Sequence, residues 1–241
     1  MVHTLASFFL LAFIAVSQLV SKSLLKFDRE VDRYRMHELL RQYAAMRLAR
    51  DQREESAVLL KHATFYNLLL SEKEVDLKGA GQDAAMAEIE ADLANVRKAW
   101  RTAAAAGRAD LLLGAIDSLS LYYKFRFLPD QFVNACQVAR EDLERAGAGS
   151  SNLQSKRALA IITAMQAAPY VHATVGSDYL ATTQSLSVLE QCQRGFQELA
   201  SAGEDVRKEQ AFLAMRLGTQ LLNIEPARVT PLLEGSLALY R

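Results

Sequence analysis

Few side chains in this sequence could serve as nucleophile, proton carrier or metal ligand, and their spacing limits what they could do. Among its 241 residues are four histidines, His3, His37, His62 and His172, and two cysteines, Cys136 and Cys192. No two histidines stand in the H-x-x-x-H spacing that places two imidazoles on one helical face, and the cysteines form no C-x-x-C pair, so no metal is expected. Neither a G-x-x-x-x-G-K-[ST] phosphate loop nor a G-x-G-x-x-G turn occurs, and no serine sits in a nucleophile-elbow pattern. The acids Glu54-Glu55 and Glu88, Glu90 and Asp92 lie on polar helical faces, where solvated surface charge is expected rather than acid–base chemistry. His62 lies among apolar residues and reads as a core or boundary histidine. His37 alone has a suggestive place: it begins a helix, where unpaired backbone N–H groups attract anions. No catalytic residue and no enzyme activity are expected.

The element that positions His37 is the segment 32–48. Tyr34 and Met36 alternate with Arg33 and Arg35, as on a half-buried strand. From Leu39 the period changes, and Leu39, Leu40, Tyr43 and Met46 share one helical face. Residues 23–28 and 32–36 are expected to pair as a hairpin around 29–31. Its bases, Lys22, Lys26, Arg29, Arg33 and Arg35, are interleaved with Asp28, Glu30 and Asp32. That pattern reads as a mixed-charge surface and not as a direct nucleic-acid contact.

Helices are expected over about 53–71, 83–106, 110–127, 130–145, 153–168, 179–200, 204–223 and 229–240, with 72–82 a polar connection and Gly107 a C-cap. The narrow stripe Ile89, Leu93, Val96 and Trp100 makes 83–106 the most regular of these. Cys136 and Cys192 fall on the apolar stripes Phe132-Cys136-Ala139-Leu143 and Leu189-Cys192-Phe196-Leu199, which predicts buried free thiols. The composition is 51% hydrophobic and 23% charged, with 28 basic and 28 acidic residues. A net charge of zero argues against a broad footprint for nucleic acid or acidic membranes.

Several stretches resemble one superfamily, the NB-ARC and related STAND signal-transduction ATPases, which includes LuxR/AfsR-type bacterial regulators. Met36-His37-Glu38-Leu39-Leu40 is similar to the MHD-type motif that closes their winged-helix domain. Leu19-Val20-Ser21-Lys22-Ser23-Leu24-Leu25 resembles the last winged-helix helix running into the wing. The run Ile89-Glu90-Ala91-Asp92-Leu93-Ala94-Asn95-Val96-Arg97-Lys98-Ala99-Trp100 looks like the helix that opens the repeat region. Residues 232–240 resemble the second helix of a tetratricopeptide repeat, and Leu217-Gly218 with Leu221 fits its L-G-x2-Y pattern loosely. The resemblance implies an all-α fold: a right-handed tetratricopeptide-like array preceded by a partial winged helix with a short β-hairpin. It divides the chain into an apolar helix and winged-helix remnant (1–48), a first repeat segment (49–146), a linker (147–152) and degenerate repeats (153–241) that are expected to be truncated. It also makes His37 the nucleotide-phosphate contact, for ATP or ADP, once a Walker domain is supplied from elsewhere, and Trp100 the core anchor of the first repeat.

The expected function is therefore a non-catalytic interaction or sensor module in the cytoplasm, with a protein partner or small inducer on the repeat surface. The apolar run 5–16 leaves an alternative open. It is short for a membrane span and lacks a positive n-region, yet it ends in small residues, as a signal or anchor would. On that reading the chain is a secreted or membrane-tethered helical scaffold.

Overall fold

Alanine and leucine dominate the sequence and proline is rare, so most segments can hold helical backbone, and tertiary burial decides which faces pack. The computed structural model describes residues 13–29, 32–147, 152–167, 179–222 and 224–240. Two compact units are present, Met1–Val58 and Leu59–Arg241.

Among the described residues of the first unit, 13–21 are helical (α1). Strands β1 (Leu25–Asp28) and β2 (Arg33–Met36) follow as an antiparallel hairpin, with Phe27 opposite Tyr34 and Leu25 opposite Met36. The Phe27 and Tyr34 rings lie 5.0 Å apart, and Arg35 pairs with Asp28 at 3.0 Å, joining one base and one acid of the interleaved set. All four residues of β2 are exposed, so Tyr34 and Met36 do not form the half-buried strand that their alternation predicts. Helix α2 (Glu38–Leu48) carries the expected stripe, yet Leu39, Tyr43 and Met46 are 69%, 56% and 63% exposed. Periodicity reports which residues share a face; it does not supply the surface that covers them.

Helix α3 (Gln52–Glu72) crosses from the first unit into the second. Its Ala63 and Leu70 are core, whereas Val58 and Phe65 on the adjacent stripe are exposed. The polar connection contains a short helix, α4 (Glu74–Leu77), whose Leu77 is fully buried. The long helix expected over 83–106 is two helices, α5 (Gln82–Ala91) and α6 (Leu93–Ala105), interrupted at Asp92. There the carboxylate accepts from Asn95 Nδ2 at 3.0 Å and from the Tyr66 hydroxyl at 3.4 Å, so a bond to α3 replaces helix continuity. Asp is among the residues that trade helical geometry for such local bonds.

The remaining helices are α7 (Ala109–Phe125), α8 (Pro129–Arg145), α9 (Leu153–Ala167), α10 (Tyr179–Ser201), α11 (Arg207–Leu221) and α12 (Pro226–Tyr240). Gly107, at φ 66°, ends α6 in a Schellman motif: the Arg108 N–H donates to the Ala103 carbonyl and the Gly107 N–H to that of Ala104. The stripes of α8 and α10 are buried as expected, as are Ile89, Val96 and Trp100 of the first stripe, with Leu93 half-buried, and both cysteines are buried free thiols. Helix α12 begins earlier than expected and encloses Pro231. It seats on α11 at Gly218, where a Cβ would come within 3.0 Å of Leu233 Cδ2.

The chain is mostly helical, and no helix of the described residues is long and apolar enough to cross a membrane. The apolar run 5–16 lies largely outside the described residues, as do most of the linker and both His3 and His172.

Trp100 is 1% exposed, and its indole N–H donates to the Ala135 carbonyl in α8 at 3.0 Å. Trp100→Ala is expected to cost about 3–5 kcal/mol, through the cavity it opens and the carbonyl it strands. Urea unfolding midpoints of the wild type and variant measure this, and Trp100→Phe should fall between them.

Candidate functional site

Helices α6 and α8 pack against each other, as do α7 and α9, so alternate helices stack through the middle of the second unit. Between α9 and α11 the link is made by side chains: Arg157 donates from Nε and Nη2 to Glu209 Oε1, at 2.6 and 2.5 Å. Beneath that bridge lies a pocket of about 430 Å³. Ile116 and Leu121 of α7, Ile161 and Met165 of α9, and Phe212 and Met215 of α11 form its apolar walls.

One end of the pocket is charged. Lys208 Nζ lies 2.6 Å from Asp117 Oδ2 and 3.1 Å from Glu74 Oε1, and Glu74 Oε1 also meets Lys78 Nζ at 2.5 Å. A single lysine of α11 thereby clamps α4 and α7. Burial works against its ammonium form, but the bonds and charge of Asp117 and Glu74 outweigh burial and hold Lys208 above the ordinary lysine value. Burial likewise pushes the Glu74 carboxyl up, and Lys78 and Lys208 more than reverse it. Tyr240 lines the same end, its phenol raised by burial and by the Asp117 carboxylate.

Glu209 is the exceptional group. It is 7% exposed, and its Oε2 is buried without a hydrogen-bond partner among the described residues. The sequence analysis did not single out Glu209, Lys208, Arg157, Asp117 or Glu74. A glutamate following a lysine at the start of a helix has no local mark of burial; only the approach of α9 and α11 creates it.

The residues that were singled out lie elsewhere. His37 is the N-cap of α2, and its Nδ1 accepts from the Leu39 N–H at 3.3 Å. Next to it, Glu38 is held at about 2 by hydrogen bonds from Arg41 and Gln42. In this state one helix-start N–H is already satisfied by the imidazole, and a carboxylate stands beside it. His62 is half-buried, with its ring 4.8 Å from that of Tyr66. No group of three or more His, Cys, Asp or Glu side chains able to hold a metal occurs among the described residues.

Glu88 and Glu90 are solvated as expected, at 55% and 51% exposed, and each also makes a contact between helices. Glu90 accepts from the Tyr122 hydroxyl and pairs with Arg126 at 3.0 Å, while Glu88 pairs with Lys73. Asn95 donates to the Tyr66 hydroxyl at 3.0 Å, and Arg97 donates to the Tyr123 hydroxyl at 3.0 Å and to Gln131. The stretch 90–100 is thus a junction that fastens α3, α7 and α8 to α5 and α6. Comparison of the chain with protein-family models, curated proteins and solved structures finds no match.

Two outcomes test the pocket's electrostatics. Arg157→Met leaves the Glu209 carboxylate buried and unpaired, and should cost about 3–5 kcal/mol, whereas Arg157→Met with Glu209→Met should recover most of that loss. A double-mutant cycle on urea midpoints reads the difference. The second outcome concerns pH. The folded Glu74 pKa is depressed, so its contribution is present above its ordinary value of 4.5 and lost on acidification. The folded Lys208 pKa is raised, so its contribution is present below 10.5 and lost as pH rises beyond it. Thermal midpoints across pH should fall at both ends, and Lys208→Met should flatten the alkaline fall while shallowing the acid one.

Proposed function

We propose that this chain is a non-catalytic sensing and interaction module: the winged-helix end and tetratricopeptide-like arm of a signal-transduction ATPase-type regulator, acting in the cytoplasm. The observation that carries the reading is the junction around Trp100. Glu90, Asp92, Asn95, Arg97 and Trp100, residues on which the family resemblance rests, each join one helix to another. Side chains engaged in this way hold a scaffold together. The alternate stacking of α6 on α8 and α7 on α9 is the packing by which helical-repeat arrays build extended binding surfaces.

On this reading, nucleotide chemistry belongs to a Walker domain on another segment or chain. A partner protein or small inducer on the repeat surface biases how the winged-helix end docks on that domain. His37 contributes by donating from its Nε2–H to a phosphate oxygen of bound ATP or ADP while Nδ1 keeps the cap bond from the Leu39 N–H.

Crosslinking the tagged chain in its native cells, followed by mass spectrometry, should identify a partner containing a phosphate-loop ATPase domain. Adding the purified chain should change that partner's ATP turnover, and His37→Ala should preserve complex formation while removing the difference between the ATP- and ADP-bound complexes. Partners lacking any nucleotide domain, or ATP binding by the isolated chain in calorimetry, would overturn the reading.

A further inference from the structure

Helix α3 has one packed line and one open line. Ala63, Asn67 and Leu70 are buried, and Ala63 and Leu70 belong to the core of the second unit. On the opposite side Lys61, Phe65, Leu68 and Glu72 follow one another at steps of four, three and four. All four are exposed, Phe65 by 60% and Leu68 by 52%. At the pitch of an α-helix they fall within an arc of about 60°. Alternating steps of three and four are the seam of a two-helix coiled coil, whose residues face a second helix along its length.

The charges at the two ends of the seam say which helix fits. Neither Lys61 nor Glu72 makes an ion pair or a side-chain hydrogen bond among the described residues, whereas the neighbouring Lys73 pairs with Glu88. A second copy of α3 laid antiparallel, about a two-fold axis between Tyr66 and Asn67, satisfies both. Positions 61 and 72 are symmetric about that point, and so are positions 65 and 68. Lys61 then faces the partner's Glu72, and Phe65 faces the partner's Leu68, with the same two contacts repeated by symmetry. Other arrangements are penalised. Parallel pairing sets lysine on lysine and glutamate on glutamate, and a slip of one heptad in the antiparallel pair sets Phe65 against Lys61 or Leu68 against Glu72. Such charge placement fixes register and orientation more than it adds strength.

We propose that two copies of this chain associate through α3, antiparallel about a two-fold axis, with Phe65 and Leu68 at the centre and a Lys61–Glu72 pair at each end. The proposal goes beyond the regulatory reading and requires neither an ATPase partner nor an inducer. The facing segments are about 18 Å long, which buries less than the roughly 800 Å² per partner of a standard interface. The dimer is accordingly a weak one, with a Kd of roughly 10–100 µM.

Sedimentation equilibrium of the full chain from about 5 to about 500 µM spans that range. The average mass should rise from the 26.7 kDa of one chain toward twice that value and no further. Lys61→Glu alone and Glu72→Lys alone should each weaken association about tenfold, because each replaces two opposite-charge contacts by two like-charge ones. Combining the two substitutions in one chain should restore it. An equimolar mixture of the two single variants should associate as well, since each supplies the charge that the other has lost. Phe65→Ala should weaken association in every pairing. These positions are exposed, so each variant should keep the circular dichroism and urea midpoint of the wild type.

A mass that stays at one chain to the highest concentration, or that rises past two, would overturn the proposal. So would association unchanged by either single reversal, which places the contact on another face, or reversals that weaken it without rescue by mixing.

Discussion

The burial of one indole sets the spacing on which the second unit depends. Trp100 is large and carries a polar N–H, so it can be enclosed only where a neighbouring backbone offers an acceptor. Ala135 supplies that carbonyl from α8, and the interface around it is made small: Ala99, Ala103 and Ala104 on α6, Cys136 and Ala139 on α8. Small residues let the two helices approach closely enough for the indole to be gripped on all sides. With α6 and α8 so fixed, α7 can lie against both, and α9 can return onto α7 and α8. Arg97 reinforces the arrangement from the rim, reaching Tyr123 on α7 and Gln131 on α8.

What the sequence made legible follows from that dependence on stripes. Ile89, Val96, Trp100, Leu112, Ile116, Phe132, Cys136, Leu143 and Phe196 recur at helical intervals, and each is buried. Periodicity finds such positions because an antiparallel partner covers one face of each helix. Where a tertiary bond overrides local preference, the same reasoning slips. Asp92 breaks a stretch of strong helix formers because Tyr66 and Asn95 share its carboxylate, and no window of sequence around position 92 contains Tyr66. Leu77 is buried in a segment whose charges and glycines read as loop, since a four-residue helix is too short to show a period. The stripe of α2 is the converse case: the period is present, and Leu39, Tyr43 and Met46 remain exposed.

The candidate site was not legible at all, for a related reason. Its charged end is assembled from Glu74, Asp117, Arg157, Lys208 and Glu209, which come from four helices. None stands at a helical interval from another that would suggest a shared site, and Lys208 meets Glu74 across 134 positions. Of the residues that looked chemically distinctive, His37 makes a cap bond, and His62 packs its ring on Tyr66 with Nδ1 buried and without a partner among the described residues. Motif reasoning finds sites whose geometry is carried by one local element, such as a loop or a helix start. A pocket made by the spacing between helices has no such element.

That spacing itself calls for a physical explanation. A buried ion pair is a weak source of stability, because removing two charges from water offsets most of their attraction, and apolar residues of similar volume would pack α9 on α11 at least as well. Arg157 and Glu209 therefore hold the two helices at a set separation rather than maximising cohesion. Long side chains meeting end to end keep the backbones apart where short apolar ones would let them close. The closing is prevented at one end by Arg157 and Glu209, and Lys208 anchors the same helix to α4 and α7. Between these fixed points the apolar side chains of α7, α9 and α11 line a space of about 430 Å³. Holding α9 off α11 in this way leaves Glu209 Oε2 buried without a partner among the described residues, a cost in stability that the surrounding helical core must offset.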